Sequence, residues 1–269
     1  MKKNLFRDSC KLFYMVLFFW YFANPSAFPE ARANDVLVAV ASNFHNPFRE
    51  IAEQFERMTR HKVQIVSGST GKLYAQIING APFELFIAGD TKRPRLLRQN
   101  LKAVSNTQFT YAIGKITLWS PNLDVISEDG KLILYKKKFK HIAMANPITA
   151  PYGKAALQAL KKLGLLKKLQ PLIVQGENIN QVFQFIFSQN AELGIVSLSQ
   201  VLDPKNNKKG SRWDIPGELY DPLEQDAVIL DKGKDNSGTM ALWNFLRSEF
   251  SKRIIKKYGY GLPKIIEHF

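Results

Sequence analysis

The run Val36-Leu37-Val38-Ala39-Val40 is five apolar residues without a break, and polar Ser42-Asn43 follows almost at once. An apolar run of this length suits a strand buried on both faces, within a sheet covered by helices on either side. Phe48, Ile51, Ala52 and Phe55 then recur at i, i+3, i+4 and i+7, which is one face of a helix, and Arg60-His61 ends it. The alternation of element type continues. Residues 62–66 read as a second strand, Ser67-Gly68-Ser69-Thr70-Gly71 as a turn, and 73–78 as a helix closed by Asn79-Gly80. Residues 84–88 read as a third strand and 93–99 as a third helix. This β-α-β-α-β-α order predicts a parallel sheet with helices on both faces.

The pattern recurs further along. Residues 111–119 alternate like a strand, and 121–140 are polar and lysine-rich, with Lys136-Lys137-Lys138 a solvated loop or helix end. Strands are expected at 141–145, 172–174, 193–198 and 227–230. Helices are expected at 151–163, where Pro151 suits the first turn, at 180–188, and near 240–250 and 254–258. Residues 204–212 read as an exposed loop. Two α/β lobes accommodate this better than one large sheet. Lobe 1 is expected over 34–117 plus 223–269, and lobe 2 over 118–222, with crossings near 115–120 and 220–226.

The segment before this block is different. Lys2, Lys3, Arg7 and Lys11 precede an apolar run over 12–23, and Ala31-Arg32-Ala33 follows. A basic region, an apolar region and an A-x-A site form the pattern of a secretory signal peptide, expected over 1–33 with cleavage after Ala33. The apolar run is too short for a spanning helix, which needs about 20 residues. The single cysteine, Cys10, would leave with the signal, so neither disulfides nor cysteine-built zinc sites are available to the exported protein. The whole chain of 269 residues carries 38 Lys and Arg against 23 Asp and Glu, a net charge of +15. Loss of the segment lowers this to +12.

In open α/β sheets ligands bind beyond the carboxyl ends of the strands. Here those positions hold Ser42-Asn43, Ser69-Thr70-Gly71, Asn146-Pro147 with Pro151-Tyr152-Gly153, and Gly176-Glu177-Asn178-Ile179. Each opens an expected helix, whose first N–H groups are free and whose dipole is positive at that end. Several such ends converging would make an anion site that needs no Arg or Lys. Ser, Thr and Asn before helices are also ordinary N-caps, and any one of these loops alone reads as a cap.

The combination is more specific than its parts. The segments Ala39-Val40-Ala41-Ser42-Asn43-Phe44, Ser67-Gly68-Ser69-Thr70-Gly71-Lys72-Leu73 and Gly80-Ala81-Pro82-Phe83-Glu84-Leu85-Phe86-Ile87-Ala88-Gly89-Asp90 occur in this order. Asn146-Pro147, Ala150-Pro151-Tyr152-Gly153, Gly176-Glu177-Asn178-Ile179, Ala191-Glu192-Leu193-Gly194-Ile195-Val196 and Tyr258-Gly259-Tyr260 complete the series. Over 35–262 the chain resembles the periplasmic molybdate-binding proteins of molybdate ABC transporters, the ModA family. The resemblance implies a two-lobed periplasmic-binding-protein fold of type II, each lobe a mostly parallel sheet flanked by helices, with the ligand cleft between the lobes. It implies molybdate, and tungstate of nearly equal size, as ligand. It carries the anion contacts onto Ser42, Asn43, Ser69, Thr70, Tyr152 and Ile179, the last two through backbone N–H groups. Ser197 stands where some members place a Tyr that reaches the anion, and Ala88-Gly89-Asp90 replaces the commoner Ser-Ala-Asp. The resemblance further implies a monomer in the periplasm, partnered by an ABC permease of the inner membrane. It implies no cofactor, no catalysis and no side-chain metal ligands, because the metal is carried as its oxyanion.

Other classes fit less well. A net positive charge suits nucleic acid, but the lysines are scattered, no nucleic-acid motif occurs, and an export signal points elsewhere. Gly68-Ser69-Thr70-Gly71-Lys72 lacks the P-loop spacing, because Val66 and Leu73 stand where Gly and Ser or Thr belong. The histidines His45, His61, His141 and His268 have no ligand spacing, and His45 reads as a surface residue. No Ser-His-Asp set or G-x-S-x-G elbow is present. A binder of another tetrahedral oxyanion, such as sulfate, is the alternative within the same fold.

Overall fold

The computed structural model of the protein describes residues 35–127, 129–207 and 209–263. The expected signal segment, 1–33, lies outside them, as do Cys10 and His268.

Strand β1 (Asp35–Ala41) leads through a tight 3-10 turn, Ser42–Phe44, into helix α1 (His45–Met58). Then follow β2 (Lys62–Gly68), α2 (Thr70–Ile78), β3 (Leu85–Ile87), α3 (Lys92–Gln99) and β4 (Phe109–Gly114). The chain crosses to a second sheet through Lys115. That part comprises β5 (Ile116–Ser120), α4 (Lys131–Lys136), β6 (Ile142–Ala145), α5 (Pro151–Lys162), α6 (Leu166–Leu169) and β7 (Ile173–Gly176). It continues with α7 (Ile179–Phe187), β8 (Leu193–Ser197), α8 (Leu198–Val201) and β9 (Ser211–Asp214). The chain returns for β10 (Leu223–Ile229), α9 (Ser237–Leu246) and α10 (Glu249–Lys257).

Two five-stranded sheets result, in the orders β2-β1-β3-β10-β4 and β7-β6-β8-β5-β9. Both are mixed, with four strands running one way and a single strand reversed. β1 pairs in parallel with β2 and β3, while β10 is antiparallel to β3 and β4. In the second sheet β6 is parallel to β7 and β8, while β5 is antiparallel to β8 and β9. The reversed strands are the ones that carry the chain between lobes. β5 and β10 each enter a sheet from the other lobe, without a crossover helix to restore direction.

Side-chain alternation explains the two-faced burial of β1. Val36, Val38 and Val40 pack with Phe48, Ile51 and Phe55 of α1 and with Leu242, Leu246, Ile254 and Ile255 of the C-terminal helices. Ala39 faces the opposite layer with Leu73, Ile77 and Leu97 of α2 and α3. Each fully buried Phe or Ile of α1 contributes about 1.5–3 kcal/mol by leaving water, and truncating Phe55 to Ala would cost about 3–5 kcal/mol. The second lobe has one core of its own, from Ile116 to Leu223, with Trp119, Leu160 and Ile195 buried within it.

Three local expectations change. The alternating run 111–119 is two strands in two sheets, and Ile116 and Thr117 pair with Ser197 and Val196 of β8. The expected division after 117 therefore falls inside β5. The break is concealed because Lys115 alone separates β4 from β5. Helix α2 begins at Thr70 instead of 73, so the expected turn supplies its first residues. The loop 204–212 ends in strand β9, which the edge of the second sheet recruits by pairing with β5.

Candidate functional site

The parallel strands β1, β2 and β3 end on one edge of their sheet, and β6, β7 and β8 end on one edge of theirs. The loops at these ends meet. Ser42 and Asn43 from β1, Ser69 and Thr70 from β2, Ala150, Pro151 and Tyr152 at the start of α5, and Ile179 at the start of α7 line one cavity. Its space, opening included, is about 180 Å³. The six residues singled out by sequence are thus brought together from both lobes, and all are buried. None of the lining residues carries a charge.

Free backbone donors are concentrated here. The first N–H groups of a helix have no acceptor within it. Neither α2 nor α5 has a side-chain cap, and Pro151 leads α5. At α7 the Asn178 side chain accepts from the N–H groups of Asn180 and Gln181, at 3.0 and 3.1 Å, and does not engage Ile179.

Ser69 separates the capping reading from a ligand reading. It occupies the N-cap position of α2 with extended backbone, yet its hydroxyl caps nothing. Its Oγ is buried without a hydrogen-bond partner. An unmade hydrogen bond of this kind costs about 1–3 kcal/mol, so Ser69 is a poor structural serine and a well-placed donor. Thr70 Oγ1 accepts from the Gly89 N–H at 3.0 Å, which leaves its hydroxyl proton to be given elsewhere.

The side-chain amide of Asn43 is already engaged. Its Nδ2 faces away into a polar network, donating to Gln225 Oε1 at 2.7 Å and to the Tyr260 hydroxyl at 3.1 Å. What Asn43 retains for a ligand is its backbone N–H, in the turn Ser42–Phe44. Gln225 Nε2 donates to the Tyr152 hydroxyl at 3.0 Å, and the Tyr111 hydroxyl lies 3.1 Å from Gln225 Oε1. Ser199 Oγ lies 2.7 Å from Ser197 Oγ and 2.9 Å from the Tyr260 hydroxyl, and it donates to the Asn43 carbonyl at 3.2 Å. Burial, above all, raises the pKa of Tyr111, Tyr152 and Tyr260, with the neighbouring hydroxyls adding to it for Tyr111 and Tyr152. All three stay neutral. Gln225, Tyr111 and Ser199 went unnoticed in sequence. The visible signal was a polar Gln225 just ahead of the apolar strand 227–230.

Beside the cavity the lobes touch directly. The Gly71 N–H donates to the Thr149 carbonyl at 2.8 Å, and Arg93 Nη2 to the Ile148 carbonyl at 3.0 Å. Lys72 pairs with Glu177 across the same rim. A larger groove, about 1050 Å³ with its opening likewise included, lies next to it and contains Asp90, Arg93, Lys154 and Asp221. Arg93 pairs with Asp90, and Lys154 with Asp221, and Lys92 and Glu224 also line it. His45, expected at the surface, is half-buried, and its Nδ1 has no partner. Among the described residues no group of three or more His, Cys, Asp or Glu is arranged to hold a metal ion.

Comparison with known proteins agrees with this architecture. A family model described as bacterial extracellular solute-binding protein matches residues 36–261. The chain is 49% identical over 232 residues to the molybdate-binding protein ModA of Azotobacter vinelandii, covering 86% of this chain and 92% of that protein. It is 40% identical over 230 residues to the ModA protein of Rhodobacter capsulatus, covering 86% and 89%. Among solved structures, the Azotobacter vinelandii periplasmic molybdate-binding protein superposes with a TM-score of 0.82 at 38% identity, covering 85% of this chain and 100% of that one.

Proposed function

Because the chain belongs to the bacterial extracellular solute-binding proteins, in the ModA molybdate-binding group, we propose that it captures molybdate, and tungstate of nearly equal size, in the cavity between its lobes. It is a substrate-binding transport protein and not an enzyme, and its anion is cargo rather than cofactor. The observation that carries the binding reading is the convergence of Ser42, Asn43, Ser69, Thr70, Tyr152 and Ile179 on one uncharged cavity.

In this reading Ser69 and Thr70 give hydroxyl protons, and Ser42 gives its hydroxyl. Asn43, Tyr152 and Ile179 give backbone N–H groups. Hydrogen bonds to a charged acceptor contribute about 1.5–3 kcal/mol each, and the dipoles of α2, α5 and α7 add favourable potential. Donors from both lobes favour the closed arrangement, so the anion drives closure about the two crossing segments. Sulfate has the same charge and shape but is smaller, and cavity size excludes it. Monohydrogen phosphate is disfavoured, because hydroxyls and amides turned to donate to the anion leave its proton without a good acceptor.

The protein would work as a monomer in the periplasm, released there by cleavage after Ala33, and would deliver its anion to an inner-membrane ABC permease. The lobes that move divide at Lys115, just ahead of the expected boundary after 117, and again near 222, where the chain returns to the first sheet. Calorimetric titration with molybdate, tungstate, sulfate and phosphate tests the proposal. One-to-one binding of the first two alone is expected. Binding of sulfate in preference to molybdate would reassign the ligand, and silence with all four would refute an oxyanion site.

A further inference from the structure

Gln225 is fully buried at a register shift of β10, between it and Asp226. Both ends of its amide are engaged. Oε1 accepts from Asn43 Nδ2 at 2.7 Å and lies 3.1 Å from the Tyr111 hydroxyl. Nε2 donates to the Tyr152 hydroxyl at 3.0 Å. Asn43 and Tyr111 belong to the lobe of the first sheet, and Tyr152 to the other, so one amide joins the two lobes. Glycine makes the space for it. A Cβ on Gly114 would stand 2.2 Å from the Tyr152 hydroxyl and 2.6 Å from Gln225 Nε2. Gly114 is the last residue of β4, immediately before the crossing to the second sheet. Gln225 itself does not line the cavity.

We infer that Gln225 is a positioning residue for anion capture: it seats the Asn43 side chain and the Tyr152 hydroxyl on one amide and thereby fixes both residues' backbone N–H groups in the cavity. This rests on the reading of the cavity as an oxyanion site. The chemistry requires an acceptor toward Asn43 and Tyr111 and a donor toward Tyr152 at the same time. A carboxamide supplies both, whereas an ionised carboxylate only accepts. A carboxylate would also place a negative charge close to an anion. Because the Tyr152 bond crosses between lobes, it belongs to the closed arrangement, and its loss should appear in the rate at which the anion leaves.

The test is a double-mutant cycle with molybdate as the probe, using Gln225→Leu, Tyr152→Phe and the pair, with binding and dissociation followed by tryptophan fluorescence. Each single change is expected to weaken molybdate binding at least tenfold, almost all of it as faster dissociation. The pair should be no worse than the worse single, because both remove the same bond. If Gln225→Leu fails to fold, Gly114→Ala replaces it, since the added methyl displaces the same hydroxyl. Wild-type dissociation rates in the folded single variants, with only a lowered ligand-free melting temperature, would make Gln225 structural and overturn the inference. Losses that multiply in the pair would overturn it too. A wild-type protein that binds no oxyanion at all would instead refute the reading of the cavity and take this inference with it.

Discussion

The backbone N–H of Gly71 donates to the carbonyl of Thr149 across the lobes at 2.8 Å, and each of these residues is the chain neighbour of one that lines the cavity, Thr70 and Ala150. The two lobes are therefore held in register by main-chain atoms one residue from the candidate donors. A Cβ at position 71 would meet the Thr149 carbonyl oxygen at 2.9 Å and Arg93 Nη2 at 3.0 Å. Gly71→Ala is expected to hold the rim apart and weaken molybdate binding roughly tenfold, on the order of 1.4 kcal/mol. Titration reads the affinity, and small-angle scattering of the saturated protein should show a larger radius of gyration than wild type. Unchanged affinity would mean that the rim yields without disturbing the site.

Ser69→Ala should separate binding from folding. Its hydroxyl is buried without a partner, so removing it relieves a desolvation penalty in the ligand-free protein while deleting a donor to the anion. Affinity is expected to fall by about 1.5–3 kcal/mol, with a ligand-free melting temperature equal to or above that of wild type. A lowered melting temperature with intact affinity would assign Ser69 to the fold.

Thr70 and Ile179 make an opposed pair. Thr70→Ala removes a hydroxyl donor and also the acceptor of the Gly89 N–H, so affinity should drop by about 1–3 kcal/mol and stability should fall as well. Ile179→Ala keeps the backbone N–H and empties part of the second core. Stability should fall by about 2–5 kcal/mol, while affinity at a temperature where the variant is folded changes little. Calorimetry and thermal melts on the two variants decide the matter together.

The pH responses of site and fold should differ. Burial lifts the hydroxyls of Tyr111, Tyr152 and Tyr260 above their ordinary value of 10.0, so none ionises near neutrality, and molybdate affinity should be flat from pH 7 to 9. His45 titrates lower. Burial first, and Arg49 second, hold it below its ordinary 6.5. A depressed folded-state value means stability that is complete above 6.5 and lost as pH falls through the lowered value. His45→Gln should therefore lose less melting temperature than wild type between pH 7 and pH 5. Equal losses would show that other groups govern the acid limb.

The sequence was most legible where periodicity and burial coincide. The apolar run 36–40 and the spacing Phe48, Ile51, Ala52, Phe55 fall on β1 and α1 because each element buries one layer per face. Reading was poorest where long-range pairing decides. Strand β9 exists because β5 offers an edge, and the reversal of β10 depends on where the chain returns. At the site, Ser42, Ser69 and Thr70 were visible as helix-opening polar residues. Ile179 could be reached only through family resemblance, since an amide donor leaves no trace in side-chain chemistry. Gln225 was hidden because Glu224-Gln225-Asp226 looks like a polar lead-in, and only the register shift beside it turns one of the three into a cross-lobe bridge.

The absence of any ionised group from the cavity lining bears on unloading as much as on capture. A site that held its cargo with a buried arginine would be left, after delivery, with a stranded charge in a poorly solvated place, at a cost of several kcal/mol. Vacating a pocket of hydroxyls and main-chain amides strands only dipoles, which incoming water can solvate. Such a carrier can grip a dianion firmly and still be emptied by a partner that merely parts its lobes.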